Sequence, residues 1–216
     1  MNQDVTVYVV DDDERVRNAL LRLLKSAGYR AFAYPSAQAV LAEPLPSNAP
    51  AVVLTDLRMP GIDGIALAEQ LAASPVPPAI VFLSAHGDVP VTVRAMKDGA
   101  VDFLEKPVKD EDLFKALAQA AERSREQIGR VERLRGLREK YGKLTPRERQ
   151  VFALIVSGLI NKEAAWELGI SEKTIKVHRA RVVAKMGARS LPDLVRMAAR
   201  LGVMADSTPP PVARTG

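Results

Sequence analysis

Cysteine is absent from this chain, which excludes a disulfide framework and any thiolate metal site and makes a reducing compartment its natural setting. The amino terminus, Met1-Asn-Gln-Asp4, has neither the basic start nor the apolar stretch of a secretory signal. Long hydrophobic runs are also missing. The longest, Val151 to Ile160, is interrupted by Ser157 and Gly158, whereas a membrane span needs about 20 residues. No internal repeat is present, and the second half of the chain carries no strand pattern. A cytoplasmic protein is expected.

What is present is ordinary globular material: 216 residues, 47% hydrophobic and 26% charged, enough for two domains and inconsistent with a mostly disordered chain. The net charge of +5 conceals an asymmetry. Residues 1–122 hold 11 Lys and Arg against 17 Asp and Glu, and residues 123–216 hold 20 against 9. An acidic half joined to a basic half implies two domains with different partners, and nucleic acid is the candidate for the basic one.

The acidic half alternates strand-like and helix-like patterns. Val5–Val10, Tyr29–Tyr34, Ala51–Leu54, Ala79–Leu83 and Val101–Leu104 read as strands. Between and after them lie helical patterns: a leucine stripe ending at Gly28, a short helix from Ser36, Asp63–Leu71, a helix from about Pro90 to Asp98, and one opening at Asp110. Five strands alternating with five helices predict a doubly wound, five-stranded parallel sheet. Ligands of such a sheet sit beyond the carboxyl ends of the strands. Helical character then continues from Asp110 through Leu117, Ile128, Val131, Leu134 and Leu137, weakened at Gly129 and Gly136. This is a basic linker helix, either paired with its copy in a dimer or solvated.

Four helices are predicted in the basic half. Thr145-Pro-Arg-Glu148 is a capping box with proline at the first helical position. Lys162–Leu168 ends at Gly169, Ser171 caps Glu172–Met186, and Ser190 opens the last. The Pro-rich stretch from Ser207 is expected to be disordered. The resulting domains are 4–122, a helical linker 123–142, a four-helix domain 143–203, and a tail 204–216.

Two groups of residues carry chemistry. Asp11 and Asp12 end the first strand, Asp56 follows the third, Ser84 the fourth and Lys106 the fifth, so the fold gathers them at one sheet edge. Three converging carboxylates repel and suit a hard divalent cation, Mg²⁺. A carboxylate beside it can attack a phosphoryl group and form an acyl phosphate, with Lys106 and Ser84 holding the transferred oxygens. In the basic half, Asn161 through Lys176 has helix-turn-helix spacing with Gly169 at the turn. Lys173, Lys176, Val177 and Arg181 are expected to reach bases or adjacent phosphates. Asn161, Lys162 and Thr174 are expected to contact the DNA backbone. His178 reads as a packed, hydrogen-bonded structural residue, and Trp166 as packing.

Val9-Val-Asp-Asp-Asp13, Leu54-Thr-Asp-Leu-Arg-Met-Pro-Gly61, Ser84-Ala-His-Gly-Asp88 and Phe103-Leu-Glu-Lys-Pro107 resemble the CheY-like, flavodoxin-like receiver domain of two-component response regulators. Leu144-Thr-Pro-Arg-Glu-Arg149 through Gly169-Ile-Ser-Glu-Lys-Thr-Ile-Lys-Val-His178 resembles the LuxR-type helix-turn-helix. Together they resemble the FixJ/NarL subfamily of transcriptional regulators over about residues 4–203. The resemblance implies that Asp56 accepts phosphate from a sensor histidine kinase. Asp11, Asp12, Asp56 and the carbonyl of Arg58 would then bind Mg²⁺. Ser84 and Phe103 would form the switch, and a cis Pro107 would aim Lys106. It further implies double-stranded DNA as ligand, RNA polymerase as a further partner, and dimerisation through a face that includes parts of Val89–Lys97 and Lys106–Lys115. Two competing readings are an Mg-dependent aspartyl phosphatase and an adaptor whose helical domain binds protein. The first wants a general acid two residues after Asp56, where Arg58 stands and cannot serve.

Overall fold

The computed structural model describes residues 4–85 and 100–203, and the chain divides into two compact units, residues 1–131 and 132–216. The helix expected at Pro90–Asp98, the Val89–Lys97 part of the dimer face, and the tail from Met204 lie outside the described residues.

The described elements run β1 (Thr6–Val10), α1 (Glu14–Ser26), β2 (Arg30–Tyr34), α2 (Ala37–Leu41), β3 (Ala51–Asp56), α3 (Gly64–Ala72), β4 (Ala79–Ser84) and β5 (Asp102–Glu105) in the first unit, followed by α4 (Asp110–Gly142), whose residues fall in both units. The five strands form one parallel sheet in the order β2-β1-β3-β4-β5. Because residues of a strand alternate between faces, each strand supplies two cores. Val7, Val9, Val52, Leu54, Val81 and Leu83 pack with Leu20 and Leu24 of α1 and Leu113 and Leu117 of α4. Tyr8, Val10, Val53, Ile80 and Phe82 pack with Val40 of α2 and Leu67 and Leu71 of α3. The register aligns Val10 with Thr55, Asp56 with Leu83, and Ser84 with Glu105. All the strands therefore finish at one edge, and the sheet order reverses between β1 and β3, the switch point at which ligands of such sheets bind.

α4 runs 33 residues and passes Gly129 and Gly136 without a break. In the first unit, the hydroxyl of the buried Ser124 accepts from the Ala51 amide at 3.1 Å, and Arg125 pairs with Asp4 at 2.8 Å. The two glycines cost about 1 kcal/mol each in helix propensity. Burial of Leu113, Leu117, Ile128 and Leu137 along the same helix outweighs that loss.

The second unit adds α5 (Pro146–Val156), α6 (Asn161–Leu168), α7 (Glu172–Met186) and α8 (Leu191–Leu201) around Val151, Phe152, Ile155, Ile175, Val182, Met186, Leu194 and Ala198. The capping box at Thr145 and Glu148 forms, and the Ser171 and Ser190 hydroxyls accept from the amides of Thr174 and Asp193. Gly169 ends α6 at φ 62°, a left-handed conformation that glycine alone adopts without penalty, and so turns the chain into α7. No described helix is long and apolar enough to cross a membrane.

Candidate functional site

Five of the predicted residues meet at the carboxyl edge of the sheet. Asp11 leaves β1 fully buried, Asp12 beside it is exposed, and Asp56 ends β3 half-buried. One carboxylate oxygen from each lies within 4.8 Å of the others. Lys106, just past β5, places Nζ 2.5 Å from Asp11 Oδ2 and 3.1 Å from Asp56 Oδ2. Its amide donates to the Ser84 carbonyl at 2.7 Å, which ties the end of β5 to the buried Ser84. The Lys106–Pro107 peptide bond is cis, as the resemblance implies.

Burial raises the Asp11 carboxyl above its ordinary value, against the opposing pull of the Lys106 ammonium. Burial also disfavours charge on Lys106, but hydrogen bonds and attraction from Asp11 and Asp56 outweigh it and hold the ammonium above its usual value. The lysine therefore stays charged and offsets part of the repulsion among the carboxylates. Three hard oxygen donors in this space, one of them exposed, fit a hydrated Mg²⁺. Phe103 lies on β5 opposite Phe82, half-buried against the core on the α3 side of the sheet. Arg58 stands two residues beyond Asp56 with its side chain exposed.

Two neighbours of this cluster were not singled out by sequence reasoning. Gly64, the first residue of α3, donates its amide to the Leu57 carbonyl at 3.0 Å. A Cβ there would stand 2.3 Å from the Asp56 carbonyl oxygen and 3.1 Å from Leu57 Cα. Arg17, in the first turns of α1, donates from one nitrogen, Nη1, to the carbonyls of Asp11 (2.8 Å) and Asp12 (2.9 Å). Asp13 caps α1 by accepting from the amides of Arg15 and Val16, and its own amide donates to Asp11 Oδ1 at 2.9 Å. A signal existed for Arg17, an arginine six positions after the buried aspartate, but side-chain-to-carbonyl bonds leave no periodicity to read.

In the second unit, α7 buries Ile175, Val182 and Met186 and exposes Lys173, Lys176, Val177, Ala180, Arg181 and Ala184. Val177 is 46% exposed, so an apolar side chain stands among cations on the outer face. Thr174 is half-buried, its hydroxyl 2.8 Å from that of Ser171. Asn161 opens α6 and accepts from Arg179 Nη1 at 3.1 Å, while Lys162 is exposed.

Two expectations need correction. Trp166 is 83% exposed and does not pack, because Ala164 and Ala165 take the inward positions of α6 and leave position 166 on the far side. His178 is half-buried as expected, but its Nδ1 is buried with no hydrogen-bond partner among the described residues. Ile175 and Val182, one turn away on the same helix, are buried and apolar.

Comparison with known proteins identifies the two domains. Residues 7–118 match the family model of the response regulator receiver domain, and residues 142–198 match that of bacterial regulatory proteins of the luxR family. The transcriptional regulatory protein FixJ of Azorhizobium caulinodans is 45% identical over 97% of this chain and 100% of its own. Nodulation protein W of Bradyrhizobium diazoefficiens is 42% identical over 94% and 88%. Among solved structures, the response regulator StyR is 42% identical over 91% of this chain and 99% of that one, with a TM-score of 0.74. Full-length FixJ from B. japonicum is 41% identical over 94% and 99%, with a TM-score of 0.54. The chain belongs to the FixJ-type response regulators, transcription regulators in which a receiver domain is joined to a LuxR-type DNA-binding domain.

Proposed function

We propose that Asp56 is the phosphoacceptor and that its phosphorylation by a sensor histidine kinase controls DNA binding through α7. The observation that carries this reading is the grouping of the Asp56 carboxylate with Lys106 and the Asp11–Asp12 pair at the carboxyl edge of the sheet. A carboxylate oxygen of Asp56 attacks the phosphorus of the kinase phosphohistidine. The phosphorus–oxygen bond forms as the phosphorus–nitrogen bond breaks, and the imidazole, protonated beforehand by solvent on its other nitrogen, takes the bonding pair and leaves as the neutral ring. Lys106 neutralises charge on the transferred oxygens, and the Ser84 hydroxyl holds another of them. Asp11, Asp12, Asp56 and the Arg58 carbonyl would hold Mg²⁺, which when bound supplies positive charge to the phosphoryl oxygens. Ser84 and Phe103 form the switch that carries the modified state outward. Turnover is limited to self-phosphorylation from a phosphodonor and slow self-dephosphorylation, and no external substrate is processed.

Lys173, Lys176, Val177 and Arg181 read the major groove, with Asn161, Lys162 and Thr174 positioning the helix on phosphates. The functional parts are a receiver over 4–122, a linker over 123–142 and a DNA-binding domain over 143–203. They act in the cytoplasm, with a second copy of the chain and RNA polymerase as further partners. The test is labelling with acetyl phosphate, followed by mass spectrometry and a gel shift. Asp56→Asn should abolish labelling and the gain in DNA affinity; undiminished labelling at another residue overturns the assignment.

A further inference from the structure

We propose that Arg17 is a positioning residue for the metal-binding edge: its guanidinium fixes the Asp11–Asp12 backbone in the conformation that delivers both carboxylates to Mg²⁺. The inference rests on the metal reading above and adds to it a residue outside the ligand set.

In an extended strand successive carbonyls point to opposite sides. The carbonyls of Asp11 and Asp12 instead converge on one nitrogen of Arg17, at 2.8 and 2.9 Å. The chain must therefore leave the strand path at these two residues, and Arg17 holds the departure. Arg17 is itself fixed, because its amide donates to the Asp13 carbonyl at 3.0 Å as α1 begins, and its side chain is half-buried. Asp13 is fixed by its cap on α1 and by its amide bond to Asp11 Oδ1. The result is a closed ring of contacts running from Asp11 through Asp13 and Arg17 back to Asp11.

The ring has a chemical consequence. Two carbonyl dipoles beside a fully buried Asp11 would add to the negative potential and compete with the carboxylates for any cation. Arg17 occupies both carbonyls, leaving Asp12's exposed carboxylate to project toward the cluster. Charge and geometry oppose one another here, which makes the proposal sharp. Removing a cation near a Mg²⁺ site should tighten metal binding if only the Coulomb field matters. Removing a clamp that shapes the site should weaken it, since partners that orient ligands are typically worth about 10-fold to 100-fold in metal affinity.

The experiment uses the full chain and Arg17→Met, which keeps an unbranched apolar stem and removes the donors and the charge. Mg²⁺ alone is titrated by calorimetry, and amide hydrogen exchange is followed without metal. The expected result is about a 10-fold weaker Mg²⁺ affinity, together with faster exchange at Asp13 and unchanged exchange at Leu20 and Leu24 within α1. Unchanged or tighter Mg²⁺ binding overturns the proposal. So does a rise in exchange throughout α1, which would make Arg17 a general helix stabiliser. Failure of the unsubstituted protein to bind Mg²⁺ would instead remove the metal reading itself.

Discussion

Lys185 Nζ, in the last turn of α7, lies 2.6 Å from Oε2 of Glu148, a residue in the first turn of α5 that is only 2% exposed. The same carboxylate oxygen accepts from the Thr145 amide at 2.8 Å and so completes the capping box. Lys185 also donates to the Lys143 carbonyl at 3.2 Å. One buried carboxylate thus starts α5 and binds the far end of the helix assigned to DNA.

The Lys185 hydrogen bond, aided by the Thr145 amide, holds the Glu148 carboxyl at about 2, below its ordinary value of 4.5. A depressed folded value means that the stabilisation is complete above the unfolded value and is lost as pH falls from about 4.5 towards 2. With Lys185 partly exposed, a contribution of about 2 kcal/mol is expected at neutral pH. Urea unfolding followed by circular dichroism should show Glu148→Gln less stable than the parent at pH 7. The difference between the two should shrink towards pH 2; a gap that persists there would place the effect in packing.

The capping half of this arrangement was legible, since Thr145 and Glu148 stand at the spacing a box requires. Lys185, 37 residues on, was not, because nothing local marks which lysine will meet a buried carboxylate. The same divide holds elsewhere. The strands could be placed, with ends expected at Val10, Leu54, Leu83 and Leu104 and found at Val10, Asp56, Ser84 and Glu105, because β-branched runs stop near polar residues, and their parallel sense follows from the alternation with helices. Arg17 and Gly64 could not, since their roles are contacts with carbonyl oxygens of other residues. Trp166 was misjudged because two small residues before it, Ala164 and Ala165, suffice to seat α6.

Asp12→Ala removes the exposed member of three mutually repelling carboxylates. Mg²⁺ binding should weaken and phosphorylation should slow. The metal-free thermal midpoint should hold or rise, because the change relieves repulsion without opening a cavity. Calorimetric titration and a melting curve check this, and a large fall in the midpoint would make the cluster structural.

On α7 the exposed cations should separate by role. Lys176→Ala should cost about 1–3 kcal/mol on the cognate site and relax preference at one position. Lys162→Ala on α6 should weaken binding evenly across sequences and lower the slope of log K against log salt by about 0.9. Fluorescence anisotropy with cognate and random duplexes over a salt series distinguishes the two. Equal losses on both duplexes for Lys176→Ala would assign it to phosphate.

A single helix-turn-helix buries modest surface, and specific binding usually recruits two copies on half-sites about one helical turn apart. The unphosphorylated protein should therefore sediment largely as a monomer, and addition of beryllofluoride should produce a dimer with higher operator affinity. The described part of the expected face, Lys106–Lys115, carries lysines and aspartates that can pair across a twofold axis. Equal dimerisation in both states would leave DNA binding standing and remove this control.

Gly64 sets a boundary on how this receiver can vary. The helix that begins there passes the Asp56 carbonyl too closely for even a methyl group, which would sit 2.3 Å from that oxygen. Backbone cannot yield as a flexible side chain can, so any larger residue must displace either the start of α3 or the strand end that bears the acceptor carboxylate. Substitution at 64 can therefore shift the proposed phosphoacceptor without altering its own side chain. The close approach at position 64 thus couples the packing of α3 to the position of the Asp56 backbone.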